Sequence, residues 1–370
     1  MSQEFKFLAV LRKKHTFVRS LMKPSESPKL SLKKVGTAQR KSITVSEDEL
    51  IKAAPLQSNQ PLPLVIEPMV DGLDLITWAQ NNRSFLETQL LKYRGILFRN
   101  FKIKGIEVFE QFVKATSDGK LLPYQDGSSP RTLVKDNVYT STDYPADQTI
   151  FLHSELSYAN TWPLKVYFHC VKPAEQGGET PIADIRKVCD RIPVQIRDRF
   201  LQKQVMYVRN FGAGLGLPWQ KAFQTSDKTV VEAYCHENGI EMEWKEGDKL
   251  RTRQIRPAVV NHPKTGETVW FNHAAFFHVS TLEPKVRQAL LAFSEIELPY
   301  NTYYGDGSPI EPEVLEEIRS AYRQETVMFP WQTGDILILD NMLTAHGRTP
   351  FVGSRKVVVG MAEPFSSKHI

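Results

Sequence analysis

From about residue 130 onward the chain breaks into short apolar or alternating runs separated by glycine, proline and asparagine, and this texture restricts the fold most. The runs include Thr149–Leu152, Leu164–Val171, Val205–Val208, Ala258–Asn261, Val269–Asn272, Ile336–Leu339 and Lys356–Met361. Repeated short strands bounded by turn formers predict a sandwich or jelly roll. Helical stretches interrupt them at 184–203, 226–237, 283–293 and 311–324. Upstream, Leu73, Ile76 and Trp78, then Phe85, Leu86, Leu90 and Leu91, recur at mostly helical spacing. Gly95 ends that helix, and Ile96-Leu97-Phe98-Arg99 reads as a buried strand. Residues 105–116 predict another amphipathic helix. Ser46-Glu-Asp-Glu-Leu50 carries the capping residue and first-turn acids of a helix start. The expected class is mainly β with a helical buttress (α+β).

Charge divides the chain in two. Residues 1–41 hold 11 Lys+Arg against Glu4 and Glu26, a net +9, so the remainder is −4 against a whole-chain +5. Basicity confined to one end is no footprint of a nucleic-acid-binding body. Residues 1–42 read as a basic segment apart from the folded domain, 43–370, whose helical insertions fall at about 184–324. The segment is open to three readings: a disordered tail, an amphipathic docking helix, or an organelle transit peptide. Three cysteines without a Cys-x-x-Cys pair argue against a disulfide framework and a thiolate zinc site, and favour a reducing, cytoplasmic setting. No apolar run reaches the roughly 18–20 residues of a membrane span.

The sharpest chemical feature is Phe151-Leu-His-Ser-Glu-Leu-Ser157. On a strand, residues i and i+2 share a face, so His153 and Glu155 can meet one metal ion if a third ligand arrives from elsewhere. His346, shortly after the run Ile336–Leu339, is the candidate. Two imidazoles and a carboxylate on one side of iron leave three positions for an α-keto acid and dioxygen. Each piece alone also has a plainer reading: a chance His-x-Glu pair, and a structural histidine after a strand. Gly177-Gly178-Glu179-Thr180 offers a hydroxyl at Thr180. Arg355, nine residues past His346, offers a fixed cation for the distal carboxylate of a dicarboxylate co-substrate. Their plainer readings are a turn residue and a charge flanking an edge strand.

The ordered set of motifs resembles the TauD/TfdA family of iron(II)/2-oxoglutarate oxygenases, nearest to its SyrP-like and clavaminate-synthase-like members. The likeness runs from about Pro61 to Glu363. Its carriers are Ile96-Leu-Phe-Arg99, Pro130-Arg-Thr132, Tyr139-Thr-Ser-Thr142, the His153 motif, Gly177-Gly-Glu-Thr180, Val269-Trp-Phe-Asn272, Pro330-Trp-Gln332, Gly334-Asp335 and His346-Gly-Arg-Thr-Pro-Phe351. The resemblance implies a double-stranded β-helix with Fe(II) held by His153, Glu155 and His346. It implies that Thr180 and Arg355 grip 2-oxoglutarate, with O2 as the oxidant. Glu155 stands where many members have Asp, which still supplies a ligand and argues against a halogenase. Val359 replaces an Arg that contacts substrate in sulfonate-oxidising members, which argues against taurine.

The implied activity is hydroxylation of an amino acid or amino-acid-like small molecule in secondary metabolism, free or tethered to an acyl or peptidyl carrier protein. Desaturation, epoxidation or cyclisation by the same cofactors, and a non-catalytic jelly-roll binder, stand as alternatives. Candidate substrate contacts are Arg348, Arg131, Tyr158, Asn160 and Asn272. Asp340 and Asn341 are candidates to orient His346, or to form a turn. His273 is a competing ligand or a core histidine, and Trp331 reads as core.

Overall fold

The strand Ile336–Asp340 shows how the residue pattern builds two layers. Ile336 and Ile338 pack into one core cluster and Leu337 and Leu339 into another, none more than 2% exposed. A strand buried on both faces belongs in the middle of a covered sheet. This computed structural model describes residues 50–366 except 129–130, 136–137, 142–143, 213–216 and 292–296. The basic segment 1–42 lies outside the described residues.

The larger sheet has eight strands in the order Ile51–Gln57, Gln60–Pro68, Gly95–Phe98, Ile336–Asp340, Thr161–Lys172, Lys356–Ser366, Val138–Thr140 and Leu133–Lys135. All its pairings are antiparallel except Gln60–Pro68 with Gly95–Phe98. Its outer face carries Ile96, Phe98 and Tyr167, packed with Trp78, Leu86, Leu90, Phe109 and Phe112 from the helices Leu75–Asn81, Arg83–Tyr93 and Ile106–Thr116. These are the buttress helices that the spacing predicted. Its inner face shares a core with a four-stranded sheet, ordered Thr326–Val327, Ile182–Asp184, Thr344–Arg348 and Ile150–His153. Two facing sheets make the jelly roll, and its small sheet carries both candidate histidines.

One expectation needs correction. Residues 46–49 lie outside the described residues, but from Ile51 the chain is a strand paired with Gln60–Pro68 and not the helix that Ser46 announces. The segment 184–324 contains the predicted helices, including Val194–Lys203, Lys228–Glu237 and Pro312–Gln324. It also carries its own antiparallel sheet, ordered Glu241–Lys245, Lys249–Arg256, Val205–Phe211 and Tyr300–Tyr304. No helix among the described residues is long and apolar enough to cross a membrane. Cys170, Cys189 and Cys235 are free and buried.

Candidate metal centre and co-substrate cleft

His153 ends the strand Ile150–His153, and His346 is the central residue of Thr344–Arg348. The strands pair antiparallel with His346 opposite His153. Cross-strand partners project to one face, and the two imidazole centroids lie 4.6 Å apart. Gly347 permits this approach, because a Cβ there would stand 2.6 Å from the Ile150 carbonyl oxygen.

Glu155 arrives differently from the expectation. The strand stops at His153, so Glu155 is not on its pleat but in the following turn, where Leu156 has φ +56°. Asn341 pins that turn. Its Oδ1 accepts from the Glu155 N–H at 2.7 Å, and its Nδ2 donates to the carbonyls of Glu155 and Pro163, each at 2.9 Å. One ligand atom from each of His153, Glu155 and His346 then lies within 4.8 Å of the others.

The protonation states suit a cation. Burial, then the neighbouring His346, pulls His153 down to about 3, so its imidazole is neutral at physiological pH. Nδ1 of His153 lies 2.8 Å from the Phe151 carbonyl, which places the proton there and leaves the Nε2 lone pair free. Burial alone would raise Glu155, but Arg131 at 2.7 Å and the two histidines hold its carboxyl well below the usual range. His346 Nε2 is 3.6 Å from Glu155 Oε2, and its Nδ1 is buried without a partner among the described residues. Nitrogen, nitrogen and ionised oxygen gathered in this way fit iron(II).

A cleft opens beside this group, lined among others by Phe168, Thr180, Arg131, Arg348 and Arg355. Arg355 has no carboxylate partner among the described residues. Its Nε donates to the Gly178 carbonyl at 2.8 Å and its Nη1 to Ser141 Oγ at 3.2 Å. Burial, then Arg348, lowers Arg355 to about 10, so it remains a cation at neutral pH. Gly178 has φ +74°, and a Cβ there would stand 2.9 Å from Arg355 Cδ, so the cradle needs glycine. Thr180 is 2% exposed. A cation and a hydroxyl lining one cleft are suited to a carboxylate.

The family model described as taurine catabolism dioxygenase TauD, TfdA family matches residues 58–361. The chain belongs to the TauD/TfdA family. It is a non-haem iron(II) oxygenase that uses 2-oxoglutarate and dioxygen. It is 42% identical over 311 residues to the dapdiamide synthesis protein DdaC of Enterobacter agglomerans, covering 81% of this chain and 94% of that one. A clavaminate synthase-like protein of Arabidopsis thaliana is 28% identical over 325 residues, covering 82% and 94%. The fold is similar to that of PvcB from Pseudomonas aeruginosa, with a TM-score of 0.51, 15% identity and coverage of 85% and 91%.

Among the candidate substrate contacts, this TauD/TfdA member brings two arginines to the cleft. Arg131 pairs with Glu155 and lies over the Tyr124 ring at 4.5 Å. Arg348 spends its terminal nitrogens on the carbonyls of Tyr144, Pro145 and Gln148, at 3.0, 2.5 and 2.9 Å, and so braces that loop. Tyr158, Asn160 and Asn272 lie outside the cleft lining. Tyr158 donates to the Asp126 carbonyl, Asn160 to the Asn238 carbonyl, and Asn272 to the Ala258 carbonyl while accepting from the Ala274 N–H. His273 is not one of the three converging residues. Burial and then His153 push its pKa well down, and its Nδ1 sits 2.5 Å from Ser157 Oγ.

Asp340 and Asn341 do not orient His346. Asp340 accepts from the N–H groups of Met342 and Leu343 and pairs with His262 at 3.1 Å, while Asn341 serves Glu155. Sequence reasoning had Ser141 only within the Tyr139-Thr-Ser-Thr142 motif, with no role behind Arg355, and missed Phe276, whose ring stacks on His153 at 4.5 Å. No local pattern marks Phe276.

Proposed function

We propose that this oxygenase hydroxylates an amino acid or amino-acid-like compound, free or carrier-bound, in the making of a secondary metabolite. The reading rests on the convergence of His153, Glu155 and His346 beside a cleft that also presents Thr180 and Arg355. In this reading the first three hold iron(II), and Thr180 and Arg355 receive the distal carboxylate of 2-oxoglutarate. When bound, iron supplies oxygen activation coupled to decarboxylation of the keto acid, which ends as C–H oxidation. The chain's own residues hold His153 neutral and Glu155 ionised, anchor the co-substrate and orient the substrate.

The substrate class is supported by the 42% identity with a dapdiamide synthesis protein. Arg131 is the favoured substrate contact of the two cleft arginines, because the terminal nitrogens of Arg348 are already engaged. The basic residues 1–41 would dock an acidic carrier protein by charge.

The test is succinate release from 2-oxoglutarate by the iron-loaded protein, with product analysis by mass. Free amino acids form one arm and carrier-bound aminoacyl groups the other. The expected result is substrate-dependent succinate and a product with one added oxygen atom. Succinate release unaffected by every member of both arms would reject the substrate class. Equal rates on carrier-bound substrate after deletion of residues 1–41 would reject the docking role.

A further inference from the structure

Thr180 Oγ1 accepts the indole N–H of Trp331 at 3.1 Å, and both side chains are buried. An indole nitrogen only donates, so Thr180 cannot spend its own proton on Trp331. Among the described residues that proton has no acceptor. A hydroxyl with one lone pair already engaged from behind has less freedom to rotate, and its O–H is left for whatever enters the cleft it lines.

The position of Trp331 is itself fixed. Arg99, just past the strand Gly95–Phe98, donates through Nε and Nη2 to both carboxylate oxygens of Asp335, at 3.1 and 2.7 Å. Its Nη2 also donates to the Pro330 carbonyl at 3.0 Å, and the Gln332 N–H donates to Asp335 at 2.9 Å. The two residues flanking Trp331 are therefore tied to one half-buried ion pair, and Phe329 meets the indole edge-on at 5.5 Å. Three sequence motifs without a role in the metal centre, at Arg99, Pro330-Trp-Gln332 and Gly334-Asp335, meet in this clamp.

We infer that Trp331 is a positioning residue for 2-oxoglutarate, acting through Thr180 by forcing its hydroxyl to donate to the distal carboxylate. This rests on the reading that Thr180 contacts that carboxylate. Loss of the indole N–H would free the hydroxyl to turn away, at a cost near one hydrogen bond to a charged group, about tenfold in affinity.

The experiment measures 2-oxoglutarate binding to the iron-loaded protein by anaerobic calorimetry, alongside kcat and KM for succinate release. The variants are Trp331→Phe, which keeps an aromatic ring, Thr180→Val, Thr180→Ser and the Trp331→Phe/Thr180→Val double. Thr180→Val is expected to weaken binding at least tenfold, and Trp331→Phe about tenfold, with KM rising and kcat at saturation changing less than twofold. The double variant should bind no more weakly than Thr180→Val alone, and Thr180→Ser should bind nearly as the parent does. Wild-type affinity in Trp331→Phe beside a weakened Thr180→Val overturns the inference and spares the reading of Thr180. Additive losses in the double overturn it too, because Trp331 would then act by another route. Unchanged affinity in Thr180→Val sinks the Thr180 reading and the inference with it. The thermal midpoint and iron affinity of each variant separate these outcomes from general damage.

Discussion

Arg355 lies across the backbone of Gly178, its Nε donating to the Gly178 carbonyl at 2.8 Å and its Cδ 2.9 Å from where a Gly178 Cβ would stand. The glycine pair that precedes Thr180 is thus a seat for the Arg355 guanidinium as well as a turn.

Gly178→Ala should displace that cation. The new methyl group meets Arg355, and φ +74° strains any L side chain by roughly 1–2 kcal/mol. KM for 2-oxoglutarate is expected to rise about tenfold or more while iron affinity stays within twofold. Steady-state kinetics with a parallel metal titration checks both, and an unchanged KM would mean that Arg355 does not hold the keto diacid.

Asn341→Ala should loosen Glu155. Three buried backbone groups lose their partner, at about 1–3 kcal/mol for each group that water cannot reach. Urea unfolding should show a loss of roughly 2–4 kcal/mol, and metal affinity should fall in the same variant. Destabilisation with wild-type metal affinity would show that the turn does not need Asn341 to present its carboxylate.

Arg131→Met should destabilise the metal-free protein far more than the loaded one. Arg131 and Glu155 are each 5% exposed at the side chain. Removing one partner of a buried pair costs about 3–5 kcal/mol. A divalent ion at the three ligands supplies the missing positive charge, so added Mn(II) should recover most of the loss. Equal penalties with and without metal would place the ion elsewhere.

Arg355→Met should abolish the stabilisation that 2-oxoglutarate gives to the metal-loaded protein. Ligand at a hundredfold excess over Kd stabilises by about 2.7 kcal/mol, a shift of several degrees in Tm. The binding form is the cation, present below a pKa of about 10 and lost as pH rises through it. The shift should therefore be constant from about pH 7 to 9. Arg355→Lys keeps the charge without the planar fork and should retain only part of it.

Much of the scaffold was legible because its signals are local. The helices Leu75–Asn81, Arg83–Tyr93 and Ile106–Thr116 show their apolar spacing, and Ile336–Asp340 is an uninterrupted aliphatic run closed by an acid. The hairpin Ile51–Gln57/Gln60–Pro68 was hidden by Pro55, Pro61 and Pro63. Its first strand lies at the sheet edge, where missing N–H donors are tolerated. Lys249–Arg256 was hidden for another reason. Its inward positions are Leu250, Thr252, Gln254 and Arg256, so alternation of burial is not alternation of hydrophobicity.

The site divides along the same line. The linear chain by itself determined which donors exist: two imidazoles, one carboxylate, a threonine hydroxyl and a lone arginine, each beside residues that favour strands or tight turns. Only tertiary structure decided how they meet. Glu155 reaches the histidines because Asn341, 186 positions away, holds its backbone, and Thr180 is met by Trp331 from 151 positions away. Local periodicity is written within a few residues, whereas a hydrogen bond across a folded core depends on every layer between its ends packing as it does.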